Sequence, residues 1–202
     1  RWVHLSAGKP EQAEELKKVL TSASGEFGRS PAEDDELIAR SIIILDNKGP
    51  LRLRNMSVNI DGIGCLLSDS YQRNKTDFLS LLRRVIDIDL TSFWYEYNPE
   101  PIGYEIEGLI SKLDKTRNIM RTHSAGFGIE RVLYDLNPSL VCQSEIVKLD
   151  HIMNLEDLIN SLDSKSKDLH KEGEPMDTHI AAFICSKLDI QGEIKFPSLD
   201  RY

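Results

Sequence analysis

Cysteine is scarce in this sequence: Cys65, Cys142 and Cys185 lie far apart, with no Cys-x-x-Cys spacing. An odd number cannot pair off internally, which argues against a disulfide framework and for a reducing, cytoplasmic setting. Long hydrophobic runs are missing too. No apolar stretch approaches the roughly 20 residues that a helix needs to cross a bilayer, and no signal-peptide pattern opens the sequence, so no membrane partner is expected. Positive charge is in deficit, with 25 Lys and Arg against 33 Asp and Glu and a net charge of −8. Such a balance works against binding to nucleic acid or to anionic membrane unless a local basic patch overrides it.

Other absences narrow the chemistry. The five histidines, His4, His123, His151, His170 and His179, are scattered without a His-x-x-x-His pair. Neither Asp177 with His179 nor Asp150 with His151 aligns two ligands along one helix face, so no metal site is expected. The phosphate loop ending in Gly-Lys-Ser/Thr, the three-glycine dinucleotide fingerprint and the glycine-flanked serine of a nucleophile elbow are all missing. No cofactor is implied.

What is present is enough apolar material for a core, 40% of 202 residues, and one domain over 1–202 is expected. The first residue is Arg1 rather than methionine, which leaves open a piece of a longer protein.

Helical periodicity dominates. Pro10 stands at a first helical position, with Ala13, Leu16, Val19 and Leu20 on one face and Glu14 four residues before Lys18 on the other. Ser30 and Glu33 have the form of a capping box ahead of Leu37, Ile38, Ile42 and Leu45, and residues 47–50 break the run. The β-branched triplet Ile42, Ile43 and Ile44 is compatible with a strand, but caps at both ends favour helix. Residues 52–60 are ambiguous: Met56, Val58 and Ile60 alternate as a strand would, yet no partner is evident. A helix is then expected through Leu66, Leu67 and Tyr71. Asn74 is the expected cap of the next, with Phe78, Leu81, Leu82, Val85 and Ile86 as its stripe and Arg83 and Arg84 on the far side.

Ile102, Ile106, Leu109, Ile110 and Leu113 mark a further helix. Gly126 and Gly128 lead into another that carries Ile129, Val132, Leu133 and Leu136, with Ser124 as a possible cap and Pro138 as its stop. Helices are also expected from Ser144 through Ile146 and Val147, from Asn154 through Leu162, and from Asp177 through Leu188. Residues 2–7 fit a short strand or a helix end, residues 164–175 a mobile loop, and residues 191–202 an extended tail. The expected fold is all-α, a multi-helix bundle or irregular α-solenoid of about eight helices.

Two segments are candidate sites. Phe93, Trp94, Tyr95 and Tyr97 crowd a short turn, and aromatics with polar tips are enriched at binding hot spots. The competing reading is that one or two of them anchor the flanking helices. In residues 121–131, Arg121, Ser124, Gly126, Gly128 and Arg131 could hold a phosphate or carboxylate on free amides and guanidinium groups. Otherwise the glycines allow two helices to approach closely. His123 beside Ser124 suggests a base and nucleophile, but adjacency in sequence does not place two side chains in hydrogen-bond reach. Residues 61–67 and 125–133 each resemble half of a helix-hairpin-helix DNA-backbone motif, but neither is flanked by the Lys or Arg excess that phosphate binding draws on, and nucleic acid is disfavoured. The function expected is a helical protein–protein interaction or scaffold module of a larger cytoplasmic protein, with a protein partner and no catalytic role. The alternative is an enzyme or small-ligand domain holding an anionic group at the 121–131 loop.

Overall fold

The computed structural model describes residues 9–22, 29–98, 104–122, 124–172 and 176–190. Nine α-helices and one two-stranded hairpin are present among them, so the fold is all-α, as the periodicity predicts. The expectations for residues 2–7, residues 191–202 and His123 lie outside the described residues. The chain divides into two compact units, 1–114 and 115–202.

In the first unit, α1 (Pro10–Ser22) starts at its proline, and Lys18 pairs with Glu15 three residues away rather than with Glu14. Helix α2 (Pro31–Leu45) carries the expected capping box. The Glu33 amide donates to the Ser30 hydroxyl at 3.3 Å, and the Ser30 amide donates to the Glu33 carboxylate at 2.6 Å. That carboxylate is held below its ordinary pKa chiefly by the Ser30 amide. Leu37, Ala39, Ile43 and Ile44 are buried, so the β-branched triplet lies within a helix.

The ambiguous segment is a strand whose partner immediately precedes it. β1 (Leu51–Leu53) and β2 (Met56–Val58) pair antiparallel, with Arg52 opposite Ser57. Leu51, Leu53, Met56 and Val58 point inward and Arg52 and Ser57 outward, the period-two alternation of a half-buried sheet. Helices α3 (Ile63–Gln72), α4 (Thr76–Asp87) and α5 (Leu90–Glu96) follow. Asn74 is not the cap of α4: Lys75 occupies that position, and Asn74 takes a left-handed backbone at φ 53°. Asparagine tolerates this conformation because its short polar side chain can bond locally. Helix α6 (Tyr104–Arg121) is unbroken, and the division between the units falls within it.

The second unit holds α7 (Ile129–Leu136), α8 (Leu155–Glu172) and α9 (Thr178–Lys187). Its core is Tyr134, Cys142, Val147, Ile152, Leu158, Ile180, Ala182 and Phe183. Three local expectations are corrected. Helix α7 is preceded by Gly128 at the cap position, so Ser124 does not cap it. The helix expected from Ser144 is a turn followed by a single 3-10 turn at Lys148–Asp150. Residues 164–172, expected as loop, continue α8 to Glu172. A polar helix end lacks apolar periodicity and is silent to a search for it, while the Asn154 cap, accepting from the Asp157 amide at 2.9 Å, starts the helix as expected.

Candidate functional site

The glycine loop is a packed corner. The Gly128 amide donates to the Ile119 carbonyl at 3.1 Å, and the Phe127 amide to the Ser124 carbonyl at 3.1 Å, so two amides that an anion would need are already engaged. Gly126 and Gly128 have φ of 85° and 90°, a region that favours glycine. A Cβ on Gly126 would run into the Cys185 sulfur and approach the Ala181 carbonyl oxygen at 3.1 Å, so its missing side chain lets the loop lie directly on α9.

Arg131 does not face this loop's solvent side. It is 1% exposed, and its Nε lies 2.8 Å from both carboxylate oxygens of Asp135, while Nη1 donates to the Ile190 carbonyl at 3.3 Å. Asp135 also accepts from the Ser186 hydroxyl at 2.6 Å. The ion pair therefore ties α7 to the end of α9. Arg121 is exposed on the last turn of α6. Of the two guanidinium groups proposed for an anion, that of Arg131 is buried on Asp135 and that of Arg121 is exposed on α6.

The aromatic segment is helical, not a turn. Phe93 and Tyr97, four apart, bring their rings to 4.8 Å between centroids, and the Arg40 guanidinium lies 4.6 Å from the centre of the Phe93 ring. The Trp94 indole donates to the Gly49 carbonyl at 3.0 Å, and the Tyr97 hydroxyl donates to Glu15 at 2.9 Å. Tyr97 is pushed up to about 12 by burial and then by the Glu15 carboxylate, so it stays un-ionised. Asn47 closes the corner by donating to the Tyr97 carbonyl at 2.7 Å. Phe93, Trp94, Tyr95 and Tyr97 are all half-buried, and three of them fasten α5 to α1, α2 and the turn after α2.

Two arrangements escaped the sequence reading. The first is a hub on Tyr134, whose hydroxyl accepts from the Gln143 amide at 2.8 Å and lies 3.0 Å from His179 Nδ1. Burial holds His179 below its ordinary value, outweighing the opposing pull of Asp177, Glu130 and Glu145. The neutral ring shares a hydrogen bond with the Tyr134 hydroxyl, which joins α7, the loop after it and α9. Burial raises Tyr134 and the Cys142 thiol, which keeps both protonated and unreactive as nucleophiles at neutral pH. Asp177 accepts from the Ile180 amide at 2.8 Å and from the Ser144 hydroxyl at 2.7 Å, locking the same loop. The residues of this hub are separated by up to 45 positions, and no local spacing announces them.

The second is a cleft of about 500 Å³ in the first unit, between the first turns of α2, the hairpin tip and α4. Arg54 at that tip donates from Nε to Asp35 at 2.5 Å, and Arg84 reaches Glu36 at 3.3 Å. Among the described residues no group of three or more His, Cys, Asp or Glu is placed to hold a metal ion, and no helix is long and apolar enough to cross a membrane. No family model matches the chain, and neither a curated protein nor a solved structure matches it.

Proposed function

We infer that the chain is a helical protein–protein interaction or scaffold module of a cytoplasmic protein. The observation that carries this reading is that α2 is apolar on two faces. Leu37, Ala39, Ile43 and Ile44 fill the core, while Ile38 and Leu45, 57% and 41% exposed, lie two turns apart on the outward side with Ile42 half-buried between them. A spacing of i, i+4 and i+7 is the pattern by which a helix presents anchors to a partner. A helix apolar all round is ordinarily covered all round. The aromatic residues of α5 support this surface from the core side, since Phe93 stacks on Arg40 of α2.

The double substitution Ile38→Glu, Leu45→Glu tests the reading, because neither residue contributes to the core and the fold is expected to survive. Proximity labelling in the cytoplasm should lose a reproducible set of neighbours in the double variant and keep it in Leu188→Glu, an exposed leucine on another element. An unchanged set in the double variant would remove α2 as the contact surface. Sedimentation of the purified chain decides whether the neighbour is a second copy.

A further inference from the structure

We propose that the cleft at the hairpin tip binds a free α-amino acid, with its carboxylate on Arg54 and Arg84 and its ammonium on Asp77. A volume of about 500 Å³ falls within the range of small-molecule sites. Its lining sets buried Leu53 and half-buried Leu81 beside the charged Asp35, Arg54, Asp77 and Arg84.

Arg54 is the first indication. It takes φ 53° at the tip, where a turn that only had to reverse the chain would carry glycine or asparagine. A large side chain retained in a left-handed backbone is the kind of strain that collects at ligand sites. Its Nε is anchored on Asp35, which fixes the plane of the guanidinium, and its two Nη groups make no bond among the described residues. Arg84 is loosely held, 3.3 Å from a Glu36 carboxylate whose other oxygen already accepts from Arg40 at 3.1 Å. Two guanidinium groups with donors to offer match one planar carboxylate.

Asp77 supplies the other end. Its carboxylate is exposed on the first turn of α4, lines the same cleft and has no partner among the described residues. The aspartates of the lining repel a phosphate or a dicarboxylate, while an uncharged ligand would leave Asp77 unmatched. Asp35 and Glu36 each engage one nitrogen of a guanidinium, so the remaining donors of Arg54 and Arg84 and the carboxylate of Asp77 are left for a dipolar ligand with an apolar side chain on Leu53 and Leu81. The proposal rests on other residues than Ile38 and Leu45, so its test and that of the α2 surface are read separately.

The test is calorimetric titration of the full chain with each free L-amino acid, alongside the N-acetyl and methyl ester forms of any that binds. At least one amino acid with an apolar side chain is expected to saturate at millimolar concentration or below. Both blocked forms should bind at least tenfold more weakly, and Arg84→Met and Asp77→Asn should each cost at least tenfold. Should either variant melt lower than the parent, Arg84→Lys and Asp77→Glu replace them, with the ratio of intact amino acid to ester as the readout. The proposal is overturned if no free amino acid binds, if both variants bind as the parent does, or if inorganic phosphate binds as tightly.

Discussion

At the scale of single residues, Gly126 and Arg131 exchange the roles that composition suggests for them. A glycine before a helix and an arginine one turn into it read as an anion cradle, but Gly126 serves close packing and Arg131 is the interior partner of Asp135. Gly126→Ala is expected to destabilise by at least about 1–3 kcal/mol, from positive φ alone, with the clash on Cys185 added. Urea denaturation measures it, and a partial recovery in Gly126→Ala, Cys185→Ala assigns the clash. Arg131→Ala removes one half of a buried ion pair and should cost about 3–5 kcal/mol, toward the lower end because Ser186 continues to bond Asp135. If Arg131 were instead a ligand contact in solvent, its loss would leave stability nearly unchanged.

His179 adds a pH dependence whose sign is fixed by burial. Its folded pKa lies below the ordinary value of 6.5, so the unfolded chain binds the proton more readily. Stability is therefore full above about 6.5 and is lost as pH falls from there toward the folded value. The denaturation midpoint of the parent should drop between pH 7 and pH 5, and His179→Asn should flatten that slope. A slope equal in both proteins would assign the acid sensitivity elsewhere.

At the scale of elements, legibility follows the range of the interactions that define each one. The starts of α2, α8 and α9 were readable because Ser30, Asn154 and Asp177 satisfy amides within three residues of themselves. The hairpin was not, because Arg54 and Asn55 stand where Asn-Gly or Asp-Gly would announce the turn, and three-residue strands give alternation little room. The end of α8 is silent in the sequence because its polar residues form no apolar stripe. Ser164→Pro tests that correction: inside a helix it should cost about 3 kcal/mol or more and reduce helical ellipticity, whereas in a loop it would be nearly neutral. Ile159 shares the helical spacing of Leu155, Leu158 and Leu162, yet it is 65% exposed. Burial depends on which elements arrive to cover a face, and α8 has fewer neighbours on its Ile159 side than its sequence suggests.

At the scale of the whole molecule, division into two units gives an expectation that the helix content alone does not. Trp94 lies in the unit over 1–114, so tryptophan emission read in a Trp2→Phe background reports that unit, while far-ultraviolet ellipticity reports both. Phe183 is fully buried in the core of the other unit. Phe183→Ala should remove about 3–5 kcal/mol there, moving part of the ellipticity transition to lower denaturant and leaving the emission midpoint in place. Coincident shifts in both signals would mean that the chain unfolds as one cooperative body.

The sequence by itself determined the all-α class and the caps at Ser30, Asn154 and Asp177, because each depends on hydrogen bonds and periodicity within a few residues. It also set the acidic balance and the absence of a cysteine framework. Only tertiary structure decided that Arg131 is buried on Asp135 and reaches the Ile190 carbonyl, that Trp94 and Tyr97 are tied to Gly49 and Glu15, and that Tyr134 meets His179. It likewise decided that Arg54, Asp77 and Arg84 share one cleft. The hydrogen-bonded pairs among these stand 45 to 82 positions apart, save the local Arg131–Asp135 bond, whose burial is itself set by α9. A polar side chain's role rests on whether a partner meets it in a place that water has left, and that is decided when distant elements pack.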